Sequence, residues 1–429
     1  MTEEEYEEFR AKCSNPVKTD GPAGTSGQVF AKGISLSNDG AVTKRNANSL
    51  VIGSSGSGVM HSFVEPNIQQ FNCNFVIPDY SGELLKKFEK PLCEAGYEVD
   101  VLDFTGKERF ARYNPFRYIE TESELFSLVN TLLANTTPPE QHIGDPIWTN
   151  GEKLLLEAIM LYIWHEMPPE KQTFDAVLDM LSMSSDTDDS GKSSLDKLFE
   201  ELLRKDKNSL AAKQYKLFAS GSGKTKRSFI ISMQTRLAVF RLKEISDLMS
   251  EDSLRLDDFA DKKRALFVIM PAADGTFDVI ASSLYMQLFL KLTKKKAGGA
   301  YHVRFFLDER IDMNGIPAFS SRLSTARSFN ISFSFMFPTL PWLKTVYGDE
   351  WNAIADNCDS KLFLGCCDME TATYFAEAMG KKTVEIRNGS NRQIREAYVM
   401  TPDELMNLPE NECIYLLRGY SPWRGEKIN

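Results

Sequence analysis

Residues 48–60 read NSLVIGSSGSGVM. The short apolar run SLVIG (49–53) enters a Gly/Ser turn, and a helix follows through about Pro66. Strand, glycine-rich turn and helix in that order is the setting of a phosphate-binding loop, G-x-x-x-x-G-K-[ST]. Gly53 and Gly58 stand at the required spacing, with Ser54, Ser55, Gly56 and Ser57 between them. Glycines let the backbone curl so that its N–H groups point at an anion, and the helix start adds partial positive charge. Two positions depart from the motif. Val59 stands where the lysine is needed, and Met60 where a hydroxyl would hold Mg²⁺. By itself the stretch reads equally as a Gly/Ser turn that binds no nucleotide.

Outward from this loop the pattern repeats. NFVIPD (74–79) is a second apolar strand, followed by helical ELLKKFEKPLCEAG and the strand YEVDVLDF (97–104). ALFVIMP (265–271), VRFFLDE (303–309), ISFSFMF (331–337), KLFLGC (361–366) and IYLLRG (414–419) continue it. Strands alternating with helices predict an α/β fold with a parallel sheet covered on both faces. Between about 120 and 255 the apolar residues recur at helical spacing instead, which predicts an all-α insertion. Within it SSDTDDSGKSS (184–194) reads as a solvated loop. The predicted organisation is an acidic and linker segment over 1–30, including KTDGPAGTSGQ (18–28). An α/β domain follows over 31–119 and 256–429, with the helical insertion at 120–255.

The strand ending in Asp308 and Glu309 suits magnesium-assisted hydrolysis. The aspartate would hold the ion through water and the glutamate would activate the attacking water. A second glycine-rich run, SGSGKTKRS (220–228), contains Gly-Lys-Thr but fails as a phosphate loop. Phe218 stands where its first glycine should be, and a helix precedes it instead of a strand.

Composition sets wider bounds. With 429 residues, 42% hydrophobic and 26% charged, the chain reads as a globular protein of two or three domains. A net charge of −10 argues against a broadly basic nucleic-acid-binding surface. The basic runs KDK (205–207), KTKR (224–227) and KKK (294–296) read as solvated helix faces or as the lining of a local channel. Seven cysteines without CxxC spacing and four scattered histidines give no metal pattern and fit a reducing, cytosolic setting. The acidic start MTEEEYEEF and the lack of an 18-residue apolar run predict no signal and no membrane segment in this sequence.

Several long stretches carry a resemblance: NSLVIGSSGSG (48–58), EPNIQQFNCNFVIPDYSGELL (65–85), YNPFRYI (113–119), LVNTLLANTTPP (128–139), GDPIWTNGEKLLLEAI (144–159), LFVIMPAADGTFD (266–278), NGIPAF (314–319), WNAIADNCDSKLFLG (351–365) and MTPDELMNL (400–408). From about Gly33 to Gly425 the chain resembles the TraG-like coupling proteins of conjugation and type IV secretion, FtsK-related P-loop ATPases. The resemblance implies a RecA-like P-loop parallel-sheet nucleotide-binding domain with a large all-α insertion domain, and ATP bound between subunits of a ring. It also implies N-terminal membrane helices, which this sequence does not show.

The departures from the family pattern cluster at the implied chemistry. Asp79 is kept from a family Asp-Pro-Lys-Gly, but Tyr80 and Ser81 replace the proline and lysine. In STARSFNIS (324–332) Arg327 is kept, while Phe329 takes the place of a second arginine that would serve the neighbouring subunit's nucleotide. Pro338 replaces a phosphate-sensing glutamine, and Glu65 a common lysine. One lost transition-state donor costs about 10²–10³ in rate and a lost arginine finger about 10³–10⁵. The expectation is therefore a degenerate site, with Asp308 and Glu309 vestigial and neither ATP nor Mg²⁺ as cofactor. The implied role is an assembly, docking or regulatory component. It would work with type IV secretion components or an active coupling-protein paralogue, in a homo- or hetero-oligomeric ring at the cytoplasmic face of a bacterial membrane. DNA contact rests on the basic runs alone. The alternative is an active ATP hydrolase that drives DNA or protein into the channel, with Lys224 or Lys44/Arg45 supplying the missing charge.

Overall fold

A computed structural model describes residues 2–13, 27–106, 111–136, 146–185, 191–221, 223–273, 275–295, 299–313, 316, 318–388 and 391–428. Parts of KTDGPAGTSGQ, LVNTLLANTTPP, GDPIWTNGEKLLLEAI, SSDTDDSGKSS, KKK, LFVIMPAADGTFD and NGIPAF lie outside the described residues. In chain order the strands are Gly27–Ala31 (β1), Ile34–Ser37 (β2), Ser49–Gly53 (β3), Asn74–Asp79 (β4), Glu98–Asp103 (β5) and Arg264–Ile269 (β6). They continue with Val303–Leu307 (β7), Ile331–Phe337 (β8), Ser360–Gly365 (β9), Lys381–Asn388 (β10), Asn391–Tyr398 (β11), Glu412–Leu417 (β12) and Trp423–Glu426 (β13).

A nine-stranded sheet has the order β13-β12-β9-β3-β8-β7-β4-β6-β5. From β9 to β5 the strands run parallel. The expectation of a parallel sheet needs one correction at its far edge. β12, read from IYLLRG, is antiparallel to β9, and β13 is antiparallel to β12. No helix separates β12 from β13, and a short connection can join only antiparallel neighbours.

Every residue of β3, β4, β6, β7 and β8 is buried. A sheet covered on both faces needs apolar residues at successive positions, which is why these strands appear as unbroken apolar runs. Successive side chains go to opposite faces. Leu50, Ile52, Val76, Phe305 and Phe335 enter one core together with the helix Asp278–Lys294. Val51, Phe75, Ile77, Phe306 and Met336 enter the other, beneath β1, β2 and the helix Glu83–Glu94.

From Glu122 to Met249 the described residues form helices and no strand. Gly223 of the rejected Gly-Lys-Thr run begins the helix Gly223–Arg236. The helix Glu122–Thr136 packs along Asp278–Lys294. Tyr113 adds a hydrogen bond to Gln287 at 2.6 Å, and Lys294 an ion pair to Glu120 at 2.7 Å. The helical part therefore continues one core of the sheet.

The boundary at residues 30 and 31 falls inside β1. The hairpin of β1 and β2, turning at Gly33 with φ +76°, is buried against the sheet. Asn67 pins it. Its Oδ1 accepts from Val29 N at 2.9 Å, and its Nδ2 donates to Val29 O and Phe63 O, both at 2.8 Å. Replacing Asn67 by alanine leaves the part-buried Val29 N–H and C=O without this partner. At about 1–2 kcal/mol for each, roughly 2–4 kcal/mol of stability should be lost. Urea unfolding checks the size, and amide exchange should rise first at Val29.

Candidate phosphate-loop site

The loop after β3 keeps the shape of an anion cradle. Gly56 and Gly58 have φ of +83° and +89°, a region that glycine alone occupies freely. A Cβ on Gly53 would stand 2.3 Å from Ser57 Oγ and 2.7 Å from Val59 Cγ2, so a larger residue there would have to displace both side chains. Lys427, buried at the far end of the chain, donates to Ser57 O at 2.7 Å and Leu364 O at 2.8 Å. A trans peptide is planar, so fixing the Ser57 carbonyl this way points the Gly58 N–H in the opposite direction. Burial pulls the Lys427 pKa below the ordinary lysine value.

The helix after the loop does not start regularly. Met60–Val64 is a π-turn, closed by Glu65 N donating to Met60 O, and Glu65–Ile68 continues as α-helix. Pro66 explains the register. It has no N–H for the Ser62 carbonyl, and its ring crowds that carbonyl. Glu65 is tied to His61 Nδ1 at 3.0 Å and Lys87 Nζ at 2.5 Å.

A cavity of about 550 Å³ opens on the loop. Gly53, Ser54, Ser55, Gly56, Gly58, Val59 and Met60 form one wall. Tyr80, Asp308, Glu309 and Pro338 line it from the carboxyl ends of β4, β7 and β8. Ligands of open α/β sheets bind at such strand ends. The Ser57 hydroxyl turns inward instead, buried without a hydrogen-bond partner.

Asp79 is not at the cavity. It is buried and caps the helix Glu83–Glu94, accepting from Gly82 N and Leu85 N, both at 2.9 Å. Arg327 and Phe329 lie in the turn Ala326–Phe329 before β8, whereas Pro338 follows its last residue. Within one chain they are therefore at opposite ends of the sheet.

Sequence reading gave no role to the contacts made by Tyr80. Its hydroxyl donates to Asp308 Oδ2 at 2.5 Å. Asp308 Oδ1 accepts from Arg310 N at 3.1 Å. Burial pushes the Asp308 carboxyl up to about 6, and the Tyr80 phenol far above its usual range. As a donor set for magnesium nucleotide the cavity fits poorly. Met60 offers no oxygen, Val59 no charge, and both oxygens of Asp308 are already engaged. Among the described residues no three His, Cys, Asp or Glu side chains group as a metal site.

Residues 7–429 match the family described as type IV secretory system conjugative DNA transfer. The chain belongs to that family. The VirD4 proteins of Agrobacterium fabrum and Rhizobium rhizogenes are 22% and 21% identical to it, each over 89% of this chain. The chain spans 58% of the length of each. In fold it matches the bacterial conjugative coupling protein TrwB lacking 70 N-terminal residues. The TM-score is 0.70 at 16% identity, over 94% of this chain and 89% of that one. TrwB in complex with ADP and Mg²⁺ gives 0.69 over the same shares. VirB4 of Thermoanaerobacter pseudethanolicus matches at 0.52 and 13% identity, over 90% of both chains. The fold is thus the family's RecA-like P-loop sheet with a helical part. Among the described residues no helix is long and apolar enough to cross a membrane.

Asp308 makes stability depend on pH in a definite direction. Its folded pKa of about 6 lies above its ordinary value of 3.8. Between those values the folded state holds a proton that the unfolded state has lost, so its contribution weakens as pH rises through that window. Asp308→Asn removes the penalty and keeps an oxygen for Tyr80. Its Tm advantage over the wild type should grow from pH 4 to pH 6 and then level off in thermal melts.

Proposed function

We propose that this chain is a coupling-protein homologue that does not turn over ATP, and that it serves a type IV secretion or conjugation system as an assembly, docking or regulatory component. The observation that carries this reading is the pairing of Val59 and Met60 on one wall with an Asp308 already engaged by Tyr80 on the other. Loss of the lysine removes charge-assisted contacts to phosphate, worth about 1.5–3 kcal/mol each. Loss of the hydroxyl removes a magnesium ligand.

The alternative, an active ATPase, needs charge from elsewhere. Lys224, Lys44 and Arg45 are not among the residues lining the cavity. Arg45 is spent on the Arg418 carbonyl at 2.8 Å. The basic runs lend DNA handling little support, because each has a lysine paired with an acid. Lys205 pairs with Glu166 at 3.0 Å, Lys226 with Asp196 at 3.2 Å and Lys295 with Asp261 at 2.5 Å. The partners on this reading are secretion-system components or an active paralogue in a shared ring, at the cytoplasmic face of a bacterial membrane.

Calorimetry and phosphate release test the proposal. Purified wild type should show poor Mg·ATP binding and background hydrolysis. Val59→Lys with Met60→Thr should recover nucleotide binding through the lysine–phosphate contacts but not turnover. Tyr80 still engages Asp308, Phe329 and Pro338 still lack the family's polar groups, and ground-state affinity alone does not stabilise a transition state. Low-micromolar Mg·ATP affinity with steady phosphate release by the wild type would sink the reading.

A further inference from the structure

Tyr80 stands between two cavities, lining both the one on the phosphate loop and a cleft of about 730 Å³ against the helical part. It is held on both sides. Its hydroxyl reaches Asp308, while its ring carries the Arg310 guanidinium at 4.6 Å from the centroid. Arg310 is itself fixed, with Nη2 on Asp278 Oδ1 at 2.6 Å, Nε on Oδ2 at 3.0 Å and Nη1 on Pro271 O at 2.9 Å. The ring cannot swing away from Asp308 without giving up this stacked contact.

We propose that the Tyr80 hydroxyl takes the place of a hydrated divalent cation at Asp308, and that Tyr80 is the residue that keeps metal out of this cavity. Metal-bound water and a phenol offer a carboxylate the same thing, an O–H donor at close range. They cannot both approach Oδ2 along one line. With Glu309 beside Asp308, the strand end carries negative charge that would otherwise draw a hard cation with oxygen ligands. The inference rests on the reading of the site as inactive, but concerns the metal alone and needs no nucleotide.

The test is Mn²⁺ binding, followed by electron paramagnetic resonance without nucleotide. Tyr80→Phe keeps the ring and the Arg310 contact and removes only the O–H. It should bind Mn²⁺ about ten- to a hundredfold more tightly than the wild type, the factor that one hydrogen bond to a charged group represents. Adding Asp308→Asn should abolish that gain. In the wild type, Asp308→Asn should leave Mn²⁺ binding unchanged, a comparison that decides even if Tyr80→Phe folds poorly. Wild-type binding that Asp308→Asn weakens, or a Tyr80→Phe variant no tighter than wild type, overturns the proposal. A wild type that hydrolyses ATP yet ignores free Mn²⁺ overturns only the functional reading. One that binds Mn²⁺ at Asp308 and hydrolyses nothing overturns only this one.

Discussion

Because both faces of the sheet are covered, a polar side chain on an inner strand has no water to turn to and must find its partner within the protein. The hairpin of β1 and β2 is fastened by this requirement. Gln28 Nε2 donates to Ser49 Oγ and Ser334 Oγ, both at 3.0 Å, on two adjacent strands. Arg304, wholly buried on β7, donates to Asn38 Oδ1 at 2.6 Å and has no carboxylate partner among the described residues. A buried cation of this kind is costly when a donor such as its Nε has no hydrogen-bond partner, and the Asn38 contact ties β7 to the segment just after β2. His302 is held in the same way between Asn330 and Ser332, and burial keeps it neutral by lowering its pKa to about 3.

The same logic separates the shape of the phosphate loop from its chemistry. Its curvature depends on Gly53, Gly56 and Gly58, on the Lys427 anchor and on the turn that Pro66 imposes. None of these requires a nucleotide. Lysine and hydroxyl at positions 59 and 60 would add charge and a ligand, but they do not build the backbone. The loop's curvature is thus set by backbone and anchors that are independent of the side chains at 59 and 60.

That separation also governs what could be read from the sequence. Strands such as β3, β4 and β8 were legible to the residue because double burial writes itself as an unbroken apolar run. Helices at 122–249 were legible from periodicity. The hairpin of β1 and β2 was not, since QVFAKGIS alternates too briefly and adjoins a Gly/Ser-rich stretch. The hairpin of β10 and β11 pairs Asn388 with Asn391, and the sequence marks it by the Gly-Ser dipeptide at 389–390, which favours a two-residue connection. At the site the loop, Asp308 and Glu309 were legible because spacing along the chain encodes them. Tyr80 with Arg310 and Asp278, and Lys427 with Ser57, were not. These pairs are separated by roughly 30 to 370 positions, so no local pattern records them.

Asp79 shows why motif matching and mechanism diverge. In a run that resembles a family Asp-Pro-Lys-Gly it reads as a site residue. In the fold its oxygens accept from three backbone N–H groups at the start of the helix Glu83–Glu94. Four N–H groups at any helix start lack intrahelical partners, and an aspartate there answers them and meets the helix dipole. That need persists whether or not a phosphate is ever bound. Ser81 shares this duty, its Oγ accepting from Glu83 N at 3.4 Å, whereas Tyr80 turns its hydroxyl to Asp308 instead. The contacts of this corner, Asp79 to the helix start and Tyr80 to Asp308, are ones the folded chain uses whether or not a phosphate is bound.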